Sequence, residues 1–392
     1  MRILVATDDT IGPVMAGSAL RAFELARVLG RHGHEVRLSG AAGSRPPDDG
    51  GPPLVAEPTW SWAEAVVAPP WSLPPRAFLG RHLLIVDGIT PLLAELEAMA
   101  PAPDRARRRR TAAARLPLVA ARADALLTGG PAQVEWWSER QRGRFGLPLL
   151  TVPFGIPDEP PPTERGRVPG VPDEWVVVLW WGGVWPWLDL DTLLDARARL
   201  GGAPISVVVP VAPRPGTGSV GWDAAALADA AGARGLAPPQ VVALESWVPY
   251  RDRHRILNRA AVVAVLHRSG DEAALSFRTR ALDAVWAGVP LLLSEGGEVS
   301  RLARQHGWGS VVPPGDGAAA AAAIERLLCD TEQASCRRAL AGSRPRWTWD
   351  RVAQPLLAAL PELPRVARGA LLPAAIRAVL ALRPGRARGR TP

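Results

Sequence analysis

Short apolar runs separated by polar, glycine-punctuated stretches set the rhythm of this chain. Ile3-Leu4-Val5-Ala6 is the kind of run that a parallel sheet buries on both faces. A loop with Gly12, Pro13 and Gly17 follows, and Ser18 stands where it can cap a helix. In that helix Ala22, Leu25, Ala26 and Leu29 recur at offsets 0, 3, 4 and 7. Gly30 and Gly33 end it, and Val36-Arg37-Leu38 alternates as a second strand. Residues 45–58 are Pro- and Gly-rich loop. Leu83-Leu84-Ile85-Val86, Ala125-Leu126-Leu127-Thr128 and Leu149-Leu150-Thr151-Val152 predict further buried strands. Between them an Arg-rich stretch predicts a helix as far as Leu116, ahead of Pro117.

Five prolines at 157, 160, 161, 162 and 169 then interrupt the pattern, and a second series begins. Strands are predicted at 175–180, 205–209, 241–244, 261–266 and 289–293, and helices at 191–200, 277–287 and through the alanine run at 318–323. The reading is α/β: a domain at 1–155, a Pro-rich linker at 156–172, a second domain at 173–345 and a C-terminal segment at 346–392. Two such units imply two parallel sheets facing a cleft.

Composition narrows the class. A chain of 392 residues with 47% apolar and 21% charged side chains is neither disordered nor fibrous. Two Cys, 329 and 336, make no disulfide framework and no zinc pattern. No apolar run of spanning length occurs, and the N-terminus lacks the long apolar stretch of a secretory signal, so a cytoplasmic location is expected. All 46 basic residues are Arg, which against 38 acids gives +8. Segments 104–122 and 362–392 each hold seven Arg and one acid, so they carry +12 and the remainder −4. That split excludes nucleic-acid binding spread over the whole surface. Two readings of the segments stay open: attraction to an anionic membrane leaflet, or a solvated helix face and a basic terminus.

The stretch richest in chemistry runs from Ser276 to Pro290. Leu282, Val285 and Trp286 make one face, while Ser276, Thr279, Arg280 and Asp283 fall at offsets 0, 3, 4 and 7 on the other. Free amides at a helix start beside Arg278 and Arg280 suit a diphosphate. Asp283 could accept two hydrogen bonds from a vicinal diol. An Arg280–Asp283 surface ion pair is the alternative.

The same stretch resembles the donor-binding segment of retaining glycosyltransferases of family 4, which have the GT-B fold of two Rossmann-like domains. Ala287-Gly288-Val289-Pro290 matches their closing turn, and Asp283 stands at the ribose-binding acid. Leu275 replaces the other acid of the motif, which leaves Glu272 nearby for the sugar. The likeness continues at Ile11-Gly12-Pro13-Val14-Met15-Ala16-Gly17, where Gly12 and Gly17 would admit a diphosphate or acceptor. Arg31-His32-Gly33-His34-Glu35-Val36 fits the family's exit from the first helix. Trp180-Trp181-Gly182-Gly183-Val184-Trp185-Pro186-Trp187 resembles the glycine turn of the second domain, but without the basic pair usual there. Phosphate charge then falls to Arg278 or Arg280, and core packing is the alternative for at least two of the four Trp. Trp247-Val248-Pro249-Tyr250 resembles the nucleobase segment, and His267 would lie at the cleft mouth. Val152-Pro153-Phe154-Gly155-Ile156 and Trp347-Thr348-Trp349-Asp350 match the segments that close the first domain and cross back to it.

The resemblance implies an enzyme moving a sugar, with retention, from a nucleotide sugar to a glycan, lipid-linked or small-molecule hydroxyl. No metal or other cofactor would be needed, and surface polysaccharide or natural-product glycans would be the product class. The first domain would hold the acceptor, with Asp87 orienting its hydroxyl; a cap on Thr90 is the alternative for Asp87. Arg278, Arg280 and Glu272 would act on the donor, which Ser276, Phe277 and Thr279 would help to bind. No nucleophile elbow, zinc-protease helix or P-loop occurs. A nucleotide-sugar epimerase would share the fold. A degenerate GT-B protein that binds a nucleotide or glycan without turnover is the other reading, favoured by Leu275.

Overall fold

The computed structural model describes residues 1–392 except 48–49, 58–59, 72, 75–76, 79, 142–145, 216–220 and 364–392. The tail within segment 362–392, including its expected amphipathic helix, therefore lies outside the described residues apart from Glu362 and Leu363.

Six parallel strands form the first sheet: Arg2–Ala6 (β1), Glu35–Ser39 (β2), Ala65–Ala68 (β3), Leu83–Asp87 (β4), Ala125–Thr128 (β5) and Leu149–Thr151 (β6), in the order β2-β1-β3-β4-β5-β6. The second holds Val176–Trp180 (β7), Ile205–Pro210 (β8), Val241–Leu244 (β9), Val262–Val265 (β10), Leu291–Ser294 (β11) and Gly309–Val312 (β12), in the order β12-β11-β10-β7-β8-β9. β3, β4, β5, β8, β10 and β11 are buried at every position, as their largely apolar sequences require. In each sheet the strand order reverses once, between β1 and β3 and between β7 and β10. Such switch points leave a crevice at the carboxyl ends of the strands.

Several local expectations needed correction. Ser18 is not a cap: the helix Gly17–Arg31 follows Ala16, which makes no side-chain cap, and the Ser18 hydroxyl donates to Asp9. The Arg-rich helix runs Pro103–Arg122, past Pro117. Pro117 and Ala113, whose carbonyl loses its partner, are both exposed, so water can replace the missing bond. β3 and β12 were not anticipated; each is four residues long and too short to display a period. The donor-segment helix begins at Thr279, not Phe277.

The basic helix is also less of a free cationic face than its composition suggested. Arg122 is buried against Asp124 at 2.9 Å and the carbonyls of Gly80 and His82. Arg107 pairs with Asp104, Arg109 with Glu97, and Arg105 donates to the Met99 carbonyl. Among the described residues no helix is long and apolar enough to cross a membrane.

The chain returns to its first domain at the end. The Ile156 amide donates to the Trp347 carbonyl and the Trp349 amide donates to the Ile156 carbonyl. Asp350 reaches Arg31 at 2.9 Å and His32 at 3.2 Å. Trp349, 1% exposed, packs on Phe154 with ring centres 4.8 Å apart. A Cβ on Gly155 would come within 2.6 Å of the same indole, so only glycine lets the two segments meet here. Trp349→Ala should therefore lower the free energy of unfolding by about 3–5 kcal/mol, measured by denaturant titration. A loss under about 1 kcal/mol would mean that this crossing does not hold the C-terminal helices down.

Candidate functional site

A cleft of about 560 Å³ lies between the two carboxyl-end edges, and both domains line it. The first domain contributes the start of the Gly17–Arg31 helix, the Leu92–Ala98 helix and Arg108. The second contributes the residues after β7, β10 and the Asp271–Leu275 helix.

β7 ends in Trp180, buried in the core, and the chain turns at Gly182 with φ +86°, a value that favours glycine. The turn faces Arg280: a Cβ on Gly182 would sit 3.3 Å from the guanidinium carbon. Arg280 donates to the Gly183 carbonyl at 3.1 Å, and no other partner of its guanidinium is found among the described residues. Burial lowers its pKa to about 10, so it stays charged at neutral pH. A cation with uncommitted donors thus stands beside the first turn of the Thr279–Ala287 helix. Gly17 of the first domain faces the same turn, 3.7 Å from the Thr279 hydroxyl by its absent Cβ.

Arg278, two residues earlier, is used differently. It is 2% exposed, and its terminal nitrogens donate to the carbonyls of Ser294 and Glu295 and to the Ser300 hydroxyl, at 2.5–2.9 Å. It borders the cleft while clamping the end of β11.

Glu272 and His267 form a buried pair, Nδ1 to Oε2 at 2.8 Å, and both line the cleft. Burial raises the Glu272 pKa to about 7 against the pull of Ser276, Arg278 and Arg280. Burial beside the same two arginines lowers that of His267, so the imidazole is neutral at pH 7. Asp283 accepts from Trp181 Nε1 and Arg253 Nε, both at 2.9 Å, with one oxygen each. A carboxylate has about four lone-pair sites, so two remain for a ligand. The Arg280–Asp283 surface pair, the alternative reading of this face, does not form; Asp283 takes Arg253 instead.

Of the other expected residues, Ser276, Phe277, Thr279, Trp185, Val248 and Tyr250 line the cleft, whereas Gly12, Pro249 and Asp87 do not. Tyr250 serves the domain interface: its amide donates to the Pro13 carbonyl at 2.9 Å and its hydroxyl bonds to Glu24. Phe277 is buried with its ring centre 6.1 Å from Trp347. Of the four tryptophans Trp180 is buried in the core; Trp181, Trp185 and Trp187 are half-buried, pack against the core and line the cleft, the last two stacked at 6.2 Å. Asp87 lies beneath the cleft in a 2.6 Å ion pair with Arg21, not on Thr90. Arg21 in turn donates to the carbonyls of Val152 and Pro153. Asp87 is thus built into the first domain through Arg21, while its other carboxylate oxygen has no partner among the described residues.

Sequence reasoning missed Arg253 and Glu95. Arg253 lies between the rings of Tyr250 and Trp286, 3.7 and 4.0 Å from their centres. Its place four residues after Pro249, on a segment already singled out, was the available signal. Glu95, on the Leu92–Ala98 helix, also lines the cleft; no motif surrounds it.

No family model and no curated protein matches the chain. Solved structures do. Sucrose-phosphate synthase from Thermosynechococcus elongatus is 15% identical, over 93% of this chain and 99% of that one, with a TM-score of 0.64. Anabaena HepE in complex with UDP and glucose is 14% identical over 93% and 100%, with a TM-score of 0.66. WaaG, a glycosyltransferase involved in lipopolysaccharide biosynthesis, is 14% identical over 91% and 98%, with a TM-score of 0.62. At these identities the likeness shows the architecture: the chain has the GT-B fold, two Rossmann-like domains facing a cleft.

The buried Arg21–Asp87 pair yields a test of its structural role. Arg21→Met leaves a buried carboxylate unpaired and should cost about 3–5 kcal/mol of stability in urea titration. Adding Asp87→Leu should restore most of it, because both buried charges are then gone. Failure of the double variant to recover would mean that the loss comes from the Val152 and Pro153 carbonyls, which Arg21 also serves, and not from the unpaired carboxylate.

Proposed function

We propose that this protein is a retaining glycosyltransferase of the family 4 type, moving a sugar from a nucleotide donor to a hydroxyl acceptor. The observation that carries the reading is Arg280: a charged guanidinium with uncommitted donors, set against the Gly182-Gly183 turn and a helix start at the second domain's switch point. That arrangement suits a departing diphosphate. Asp283, with two lone-pair sites to spare, would accept the ribose hydroxyls, and the segment ending at Val248 would meet the base. Glu272, oriented by neutral His267, would bind the donor sugar in place of the acid that Leu275 lacks. Arg278 would contribute charge from behind Arg280 and not a direct hydrogen bond from its terminal nitrogens.

Transfer would need no metal, because Arg280 and the helix amides meet the charge that forms on the leaving group. UDP-sugars are the first donors to test, since HepE is described with UDP and glucose. The acceptor would be a glycan, lipid-linked or small-molecule alcohol, in surface polysaccharide or natural-product synthesis. An anionic membrane face would be met by the exposed part of Pro103–Arg122 and by the basic tail, with the enzyme on the cytoplasmic side.

Nucleoside diphosphate release from a panel of nucleotide sugars, with and without EDTA and glycan acceptors, tests this reading. Arg280→Ala should lower turnover on the order of 10²–10³-fold with the melting temperature little changed. Asp283→Ala should weaken UDP binding about tenfold by calorimetry. Donor binding without turnover of any donor would favour the degenerate reading. Equal turnover in wild type and Arg280→Ala would remove the role assigned to Arg280.

A further inference from the structure

We propose that Glu95 binds the acceptor, its carboxylate taking the hydrogen bond of the alcohol that attacks the donor sugar; this rests on the glycosyltransferase reading above. Its helix, Leu92–Ala98 of the first domain, packs against Asp271–Leu275 of the second, which carries Glu272. Glu95 therefore lines the cleft from the wall across from the donor pair.

What separates Glu95 from the other acids of the cleft is its lack of a protein partner. Glu272 is bonded to His267, and Asp283 to Trp181 and Arg253. Among the described residues nothing donates to Glu95, although it is half-buried. A half-exposed carboxylate on a cleft wall that no described protein group engages is open to a donor supplied by a ligand. The ligand's chemistry follows from charge and shape. A neutral hydroxyl offers the proton that a carboxylate seeks. Leu92, Leu96 and Met99 beside Glu95 suit the C–H face of a sugar ring or another alicyclic alcohol.

The groups facing Glu95 are Glu272 from the second domain, Asp9 with its partner Arg214, and Arg108 from the basic helix. Burial, and then the charge of Glu272, raise the Glu95 pKa to about 7, against Arg214 and Arg108. The carboxylate is the form that accepts a hydrogen bond, so acceptor use should rise with pH through that region.

The test uses UDP-glucose as donor, with water and then methyl α-D-glucopyranoside as the hydroxyl, in wild type, Glu95→Gln and Glu95→Asp. Glu95→Gln should lower kcat/KM for whichever hydroxyl reacts by about tenfold or more, with most of the loss in acceptor KM where it saturates. The rising limb near pH 7 should flatten, while UDP affinity by calorimetry stays within about twofold of wild type, which also reports folding. Glu95→Asp should recover part of the limb, as a merely structural residue would not. Unchanged acceptor kinetics and an unchanged pH profile in Glu95→Gln overturn the role of Glu95 alone. No nucleotide binding, or no turnover by wild type with any donor of the panel above, overturns the glycosyltransferase reading and this role with it.

Discussion

The carboxylate of Asp283 is where the cleft is held to its shape. One oxygen fixes Trp181 on the turn after β7, and the other fixes Arg253, at 2.9 Å each. Arg253 is wedged between Tyr250 and Trp286, and Tyr250 reaches the first domain through the Pro13 carbonyl and Glu24. One half-buried anion thus links the glycine turn, the segment around Tyr250 and the domain interface. A nucleotide held by Asp283 would be held by the residue that also sets how its surroundings sit.

Arginine without lysine suits this architecture. Arg21, Arg122, Arg197 and Arg278 are each at most 2% exposed and spread their donors over backbone carbonyls. A planar fork can satisfy several carbonyls at once, which an ammonium point charge does less well. The same inventory explains why counting Arg is a poor guide to the site. Most of those near the cleft are structural clamps, while Arg280 keeps most of its donors uncommitted among the described residues.

Much of the fold was legible because parallel strands buried on both faces leave apolar runs, and β1, β4, β5 and β8 did so. Glycine turns with a fixed sign of φ are local too, and Gly182 was visible for that reason. Ser18 and Pro117 show where local rules gave way. The serine hydroxyl found a buried aspartate instead of a helix amide, and the proline lay on a solvated face that could spare a hydrogen bond.

The chain by itself determined two α/β halves and a segment from Ser276 to Asp283 rich in hydroxyl, guanidinium and carboxylate groups. Tertiary structure decided which of those groups are available. Arg278 and Arg280 look equivalent in sequence, but residues two apart at a helix start point to different sides. One meets the end of β11, the other the Gly182 turn. Asp87 and Glu95 show the same division. The strand-end acid expected at the acceptor is taken up by Arg21 from 66 positions away, while a helical glutamate with no motif faces the cleft without a partner among the described residues. Periodicity and turns depend on neighbours along the chain, whereas a side chain's availability depends on what distant segments bring against it.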